Sequence, residues 1–156
     1  MIGREDKTEN DLFFVCSVIE YIGRETKNRR IDIVNLLGVA ELERLFSLAD
    51  IYHCEPLESI SADLIKKHGI KKGSFDNVAT CKYAVPTHFD IAKVYKRLIA
   101  AVSAAQGILP VSALIEVYNS KICPLIDDYN SSMYYENPEY VLASYNAGMA
   151  VSDGIC

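Results

Sequence analysis

The chain has 156 residues, of which 50% are hydrophobic and 24% are charged, and its formal net charge is −5. This length and composition predict one globular domain with a core of its own. No apolar run approaches the roughly 20 residues that a membrane span needs. The five cysteines are scattered singly. We therefore expect a cytoplasmic protein with reduced thiols, no disulfide framework and no membrane association.

The N-terminal part of the chain predicts a central helix. Residues 1–9 are rich in charge and are expected to form a frayed end. From Asn10 or Asp11 to Tyr21 the sequence is apolar on most sides of a helix, which is typical of a helix buried in a helical core. The end of this segment carries four basic residues: Arg24, Lys27, Arg29 and Arg30.

Glycine, proline and capping residues predict the limits of the later helices. Residues 69–86 are expected to form a loop, and the helix after Pro110 is expected to bend at Pro124 and to reach Tyr129. No segment alternates with the two-residue period of a strand. Together these patterns predict an all-α fold, a single-domain helical bundle of about six or seven helices over residues 10–148, followed by a loose end at 149–156. The expected helix starts are Pro56, Thr87, Pro110 and Asn137, and the expected ends are Gly38, Gly69, Gly107 and Gly148.

The C-terminal third of the chain carries the whole net charge. Residues 101–156 contain six acidic residues and one lysine, whereas acidic and basic residues balance over residues 1–100. An acidic surface rich in tyrosine favours a cationic or protein partner and disfavours nucleic acid. The same tyrosines would also serve to pack the last helix onto the core. The candidate interface residues for a protein partner or a homo-oligomer are Tyr129, Tyr134, Tyr135, Glu136, Tyr140 and Tyr145.

Histidine and cysteine provide an alternative candidate site, formed by His53, Cys54, Cys81 and His88. These four residues match the ligand types of a zinc site, and Cys81 with His88 and Asp90 matches the residue types of a cysteine hydrolase. The spacing is unlike that of zinc motifs, because it contains neither CxxC nor HxxxH. We therefore predict no metal, no cofactor and no catalytic residue.

Two basic clusters, Arg24–Arg30 and Lys66–Lys72, raise the alternative of a DNA-binding regulator. The segment from Arg30 to Phe46 has roughly the length of a helix-turn-helix motif. Its second helix, however, carries Glu41 and Glu43, which repel phosphate groups. We therefore expect these clusters to be solvated faces or helix ends.

Three strings, DLFFVCSVIEYIGRETKNRRIDIVNLLG, CKYAVPTHFDIAKVYKRLI and YYENPEYVLASYNAG, cover much of the chain. They resemble a group of small, uncharacterised all-helical proteins of anaerobic Gram-positive bacteria, some encoded near mobile-element or toxin–antitoxin-like genes. The resemblance implies a bacterial cytoplasmic helical protein with a regulatory or neutralising role, and it transfers no catalytic residue. The expected function is thus a non-enzymatic interaction or regulatory protein of antitoxin-like type. A DNA-binding regulator and a Cys/His-dependent enzyme remain open as alternatives.

Overall fold

The computed structural model describes residues 2–52 and 54–151. Over these residues the chain forms eight α-helices and one short 3-10 helix, without any strand, which confirms the all-α fold. The helices are α1 (Ile2–Thr26), α2 (Arg30–Ser47), α3 (Ala49–Tyr52), α4 (Leu57–His68), α5 (His88–Gln106), α6 (Pro110–Tyr118), α7 (Ile122–Asp127) and α8 (Pro138–Ala147), with the 3-10 helix at Met133–Tyr135.

Helix α1 lies at the centre of the bundle, as its sequence predicts, and packs against α2, α4 and α5. Its apolar residues between Leu12 and Ile22 are almost all fully buried. The helix begins at Ile2, so the start expected at Asn10 or Asp11 is wrong. Asp11 lies inside the helix and does not cap it. Its carboxylate forms an ion pair at 3.0 Å with Lys7, one turn earlier.

The capping residues identified in the sequence mark real helix ends. At the start of α5 the Thr87 hydroxyl accepts from the Asp90 backbone N–H, and the Asp90 carboxylate accepts from the Thr87 N–H, which completes a capping box. At the start of α8 the Asn137 side chain accepts from a backbone N–H in the first turn. Three helices end at a glycine in the left-handed conformation, at Gly69, Gly107 and Gly148.

Two helix breaks refine the predicted boundaries. Gly38 has φ +80° and separates two helical halves within α2, so the interruption expected at this glycine is present. The single helix expected from Pro110 through a bend at Pro124 is wrong, because α6 ends at Tyr118 and α7 begins at Ile122. Pro124 lies in the first turns of α7, where its missing N–H costs nothing.

The irregular segment at residues 69–86 is a loop, as expected, and it is fixed to the end of α1 and to the short connection between α1 and α2. The backbone N–H of Gly73 donates to the Thr26 carbonyl at 2.7 Å, and that of Phe75 donates to the Lys27 carbonyl at 2.8 Å. These bonds hold the loop across the junction of the two helices, which places Asn77 in the interior.

No single helix in the described ranges combines the length and the apolar character needed to cross a bilayer. Helices α5 and α6 meet the length and composition requirement only as a pair, and a bend of 117° separates them.

Candidate functional site

An ion pair between Glu20 of α1 and Arg30 of α2 is buried in the core. Arg30 Nε lies 3.0 Å from Glu20 Oε1, and Arg30 Nη2 lies 3.1 Å from Oε2. The two residues are 1% and 0% exposed. A bidentate arginine–carboxylate pair of this kind joins the two helices in a fixed geometry.

Further partners satisfy the remaining polar atoms of this pair. The Tyr129 hydroxyl donates to the Glu20 carboxylate. Arg24 Nε donates to the same carboxylate at 2.9 Å, and Arg30 Nη2 also donates to Asn77 Oδ1 at 3.0 Å. Burial alone would raise the pKa of Glu20, but the charge and hydrogen bonds of Arg30 hold this pKa below its usual value. Both partners of the pair therefore remain charged.

Asp127, at the end of α7, is a second buried carboxyl group next to this ion pair, and it is only 3% exposed. The Tyr95 hydroxyl donates to Oδ1 at 2.7 Å, and the Cys123 thiol donates to Oδ2 at 3.3 Å. Both donors are neutral, and no ion pair in the described residues includes this carboxyl group. Burial, together with the nearby charge of Glu20, raises the pKa of Asp127 to about 7.

This raised pKa predicts a pH dependence of stability. Between the ordinary carboxyl pKa of 3.8 and about 7, the folded protein holds a proton on Asp127 that the unfolded chain has lost. The free energy of unfolding should therefore fall as the pH rises through this window. Asp127→Asn is neutral at every pH, so its stability relative to the wild type should rise by about 2–3 kcal/mol between pH 5 and pH 8.

Urea denaturation of both proteins at the two pH values measures this difference. The comparison cancels groups that titrate equally in both proteins, including His88, whose pKa is lowered by burial and by the charge of Arg24. A constant stability difference across the window would show that Asp127 is ionised throughout.

A groove of about 570 Å³ lies at the surface between α5 and α8. Its lining includes the apolar side chains of Val94 and Leu98 from α5 and of Val141 and Leu142 from α8. Tyr134, from the 3-10 helix, contributes to the same lining. The groove is therefore an apolar surface at the acidic, tyrosine-rich end of the chain, and we call it the α5/α8 groove.

The two sides of the α5/α8 groove carry opposite net charge. The α5 side has Lys93, Arg97 and one acid, Asp90, whose carboxylate accepts from the Thr87 backbone N–H, whereas the side of the 3-10 helix and α8 has Glu136 and Glu139. No ion pair within the described ranges joins the two sides. Charges of both signs therefore remain available to a molecule that enters the groove.

The six candidate interface residues do not form one surface. Tyr134, Tyr135 and Glu136 line the groove, and Tyr135 is 69% exposed. Tyr129 is buried with its hydroxyl in the ion-pair network, so it is not available at a surface. Tyr140 and Tyr145 pack against the core and lie outside the groove lining, and the Tyr140 hydroxyl donates to the Val151 carbonyl at 2.8 Å.

The described residues of the alternative cysteine–histidine site lie in different environments. His53 lies outside the described residues, and Cys54 is exposed. The Cys81 thiol donates to the Tyr83 carbonyl at 3.4 Å, whereas the His88 ring contacts Phe89 and Tyr21. In the described part of the chain, no group of three or more potential ligands is placed to hold a metal ion.

Both basic clusters are partly neutralised within the fold. Arg30 is fully buried, so the expectation that it belongs to a solvated face is wrong. Glu41 is also buried, and it forms an ion pair with Lys67 at 2.7 Å and a hydrogen bond with His68 Nε2 at 2.8 Å. Burial would raise the pKa of Glu41, but the hydrogen bonds from Lys67, His68 and Arg44 lower it to about 2. These pairs reduce the positive charge available to phosphate groups.

Sequence reasoning missed Glu20, Asn77 and Asp127 as parts of a buried site. One feature could have revealed the first of them, because Glu20 is the only charged residue between Leu12 and Ile22, in a helix predicted to be buried on most sides. A charge at such a position requires a partner. Nothing in the sequence identifies Arg30 as that partner.

The fold and the site thus define a single-domain all-α protein with a buried ion-pair network and an apolar surface groove. No protein-family model, no curated protein and no solved structure shows significant similarity to this chain.

Proposed function

We propose that this protein is a non-enzymatic interaction protein that binds a segment of another protein in the α5/α8 groove. The single observation that carries the proposal is an apolar groove between two oppositely charged sides, beside the exposed ring of Tyr135. Grooves between helices are a common docking place for amphipathic helices. Tyrosine is enriched among the residues that dominate binding energy.

The charges of the groove specify the chemistry of the partner segment. An amphipathic helix would place its apolar face on Val94, Leu98 and Leu142. Basic residues along one edge of that helix would face Glu136 and Glu139, and acidic residues along the other edge would face the α5 side. Opposite charges arranged in this way fix orientation and exclude wrong partners.

We place this activity in the bacterial cytoplasm, where singly spaced cysteines stay reduced. A regulatory role of antitoxin-like type fits this proposal, because the neutralisation of an effector requires binding and no catalysis of its own. A second copy of this chain is the competing occupant of the groove.

Affinity capture from the source cells tests the proposed function, with Tyr135→Ala compared with Tyr83→Ala. The two tyrosines are matched, since they are 69% and 68% exposed, and only Tyr135 lines the groove. The wild type and Tyr83→Ala should retain the same partner, and Tyr135→Ala should lose it. A tyrosine that anchors an interface is worth about 2 kcal/mol or more, which is roughly thirtyfold in affinity.

A charge reversal provides the second arm of the experiment. Glu139→Lys lies in the groove lining, and Glu116→Lys is the same change at an exposed position outside it. We expect only Glu139→Lys to weaken capture, and the effect should diminish at high salt. Equal capture by all four variants would contradict a role for the groove. Self-association lost with Tyr135→Ala would identify the occupant as a second copy.

A further inference from the structure

A second, smaller pocket of about 240 Å³ opens beside the buried network, away from the α5/α8 groove. Phe75, Asn77, Cys123, Pro124, Asp127 and Tyr129 line it, and we call it the Asp127 pocket. Asn77, Cys123, Asp127 and Tyr129 are each more than nine-tenths buried. The lining therefore combines apolar walls with a polar floor, the usual composition of a small-molecule site.

The electrostatics of the Asp127 pocket favour a cation. A carboxylate has about four acceptor positions, and two neutral donors, Tyr95 and Cys123, use only part of them. Asp128 adds a second acid to the lining. Asp127 is the last residue of α7, and Ser120 follows the end of α6, so two helix C-termini with their partial negative charge border the pocket.

The cations near this pocket already have partners. Arg29, the one basic residue in the lining, pairs with Asp32 at 3.3 Å. Arg30 is bound to Glu20 in the neighbouring ion pair. A buried carboxylate without a cation of its own is costly, and a bound cation would remove that cost.

We propose that the Asp127 pocket binds a small primary alkylammonium group, with the ammonium on the Asp127 carboxylate and the alkyl chain against Phe75 and Pro124. Two of the three N–H donors of an ammonium can use the roughly two acceptor positions that Tyr95 and Cys123 leave free on this carboxylate. The volume suits a short chain of a few carbons. This site is separate from the α5/α8 groove and does not depend on the proposed function.

Binding should strengthen as the pH rises, because the ammonium requires ionised Asp127. The charged and titratable groups that face Asp127 keep one state between pH 6 and pH 8. Glu20 and Arg30 stay charged in their mutual pair. Burial raises the pKa of Tyr95, Cys123 and Tyr129, so these three groups stay neutral.

Titration with n-butylammonium, followed by the backbone amide NMR signals of the protein, tests this site. An alkylammonium keeps its charge at both pH values, since its pKa resembles that of lysine. We expect shifts at residues that line the pocket, such as Asn77, Thr80 and Ser120. The affinity should be about tenfold weaker at pH 6 than at pH 8, in proportion to the ionised fraction of Asp127.

Two controls keep the test decisive. The neutral analogue n-butanol has nearly the same shape and should bind much more weakly at pH 8. Asp127→Asn should lose n-butylammonium binding, whereas Asp63→Asn, the same change at an exposed position outside the pocket, should keep both binding and its pH dependence. Equal binding of the alcohol, a pH-independent affinity or unchanged binding by Asp127→Asn would each overturn the proposed site. The alcohol and pH comparisons use the wild type alone, so they hold whatever the stability of the variants.

Discussion

Replacing Arg30 by methionine is expected to lower the free energy of unfolding by about 3–5 kcal/mol. The substitution leaves the Glu20 carboxylate in the core without its bidentate partner, and it removes the donor that Asn77 Oδ1 accepts from. The cost arises mainly from the buried Glu20 charge, which Arg24 and Tyr129 then compensate only in part. Urea denaturation followed by far-UV circular dichroism measures it, with Arg29→Met as the control, because Arg29 is an exposed neighbour.

The double variant Glu20→Met/Arg30→Met shows whether the stability loss of Arg30→Met comes from the buried charge of Glu20 or from lost packing. Removing both charges leaves no buried carboxylate that depends on Arg24 and Tyr129 alone, so the double variant should be more stable than Arg30→Met alone. A loss below about 1 kcal/mol for Arg30→Met would contradict a structural role for the pair. Additive losses for the two single substitutions would also contradict it.

Gly23→Ala is expected to destabilise the protein by about 1–3 kcal/mol, although alanine is the better helix former. A methyl group on Gly23 would lie closest to Arg30 Cδ, and it would be 2.6 Å from Nε and 2.8 Å from Cζ of the same side chain. The guanidinium group cannot withdraw freely, because Glu20 and Asn77 hold it in place. The close contact between α1 and this side chain therefore requires glycine.

The same substitution in an Arg30→Ala background provides the control. Alanine ends at Cβ and lacks all three atoms that the methyl group would approach, so the methyl group has room and helix propensity should make Gly23→Ala neutral or slightly stabilising there. Thermal or urea denaturation of the four proteins gives the coupling between the two sites. An equal loss in both backgrounds would show that the cost of Gly23→Ala has another origin.

The helix ends could be predicted because their determinants are local. Thr87 and Asp90 lie three residues apart and cap each other, and Gly107 ends the same helix through its own left-handed backbone. Asn137 and Gly148 do the same for α8. Such features depend on a few adjacent residues and need no knowledge of the rest of the fold. The central position of α1 was likewise evident from its apolar sides.

The buried network could not be predicted because its members are distant in sequence. Arg30 stands beside Arg29 and Asp127 beside Asp128, and within each pair one residue is buried and the other exposed. Neighbours of the same type give no indication of which one faces the core. The prediction that the acidic charge of residues 101–156 lies at the surface is therefore wrong for Asp127.

The sequence likewise does not show which of the C-terminal tyrosines are buried. Tyr134 and Tyr135 are adjacent in the sequence, yet Tyr135 is exposed and Tyr134 is partly buried. The burial of Tyr129 follows from its contact with Glu20, more than 100 residues earlier in the chain. Only the folded chain separates the tyrosines that pack in or against the core, namely Tyr129, Tyr140 and Tyr145, from those that line the groove.

The affinity of the captured partner for purified protein tests the proposed function most directly. Isothermal titration calorimetry would compare the wild type with Tyr135→Ala and with the matched control Tyr83→Ala. The proposed groove predicts that Tyr135→Ala binds at least tenfold more weakly, while Tyr83→Ala stays within about twofold of the wild type. Equal affinities for all three proteins would contradict binding in the α5/α8 groove.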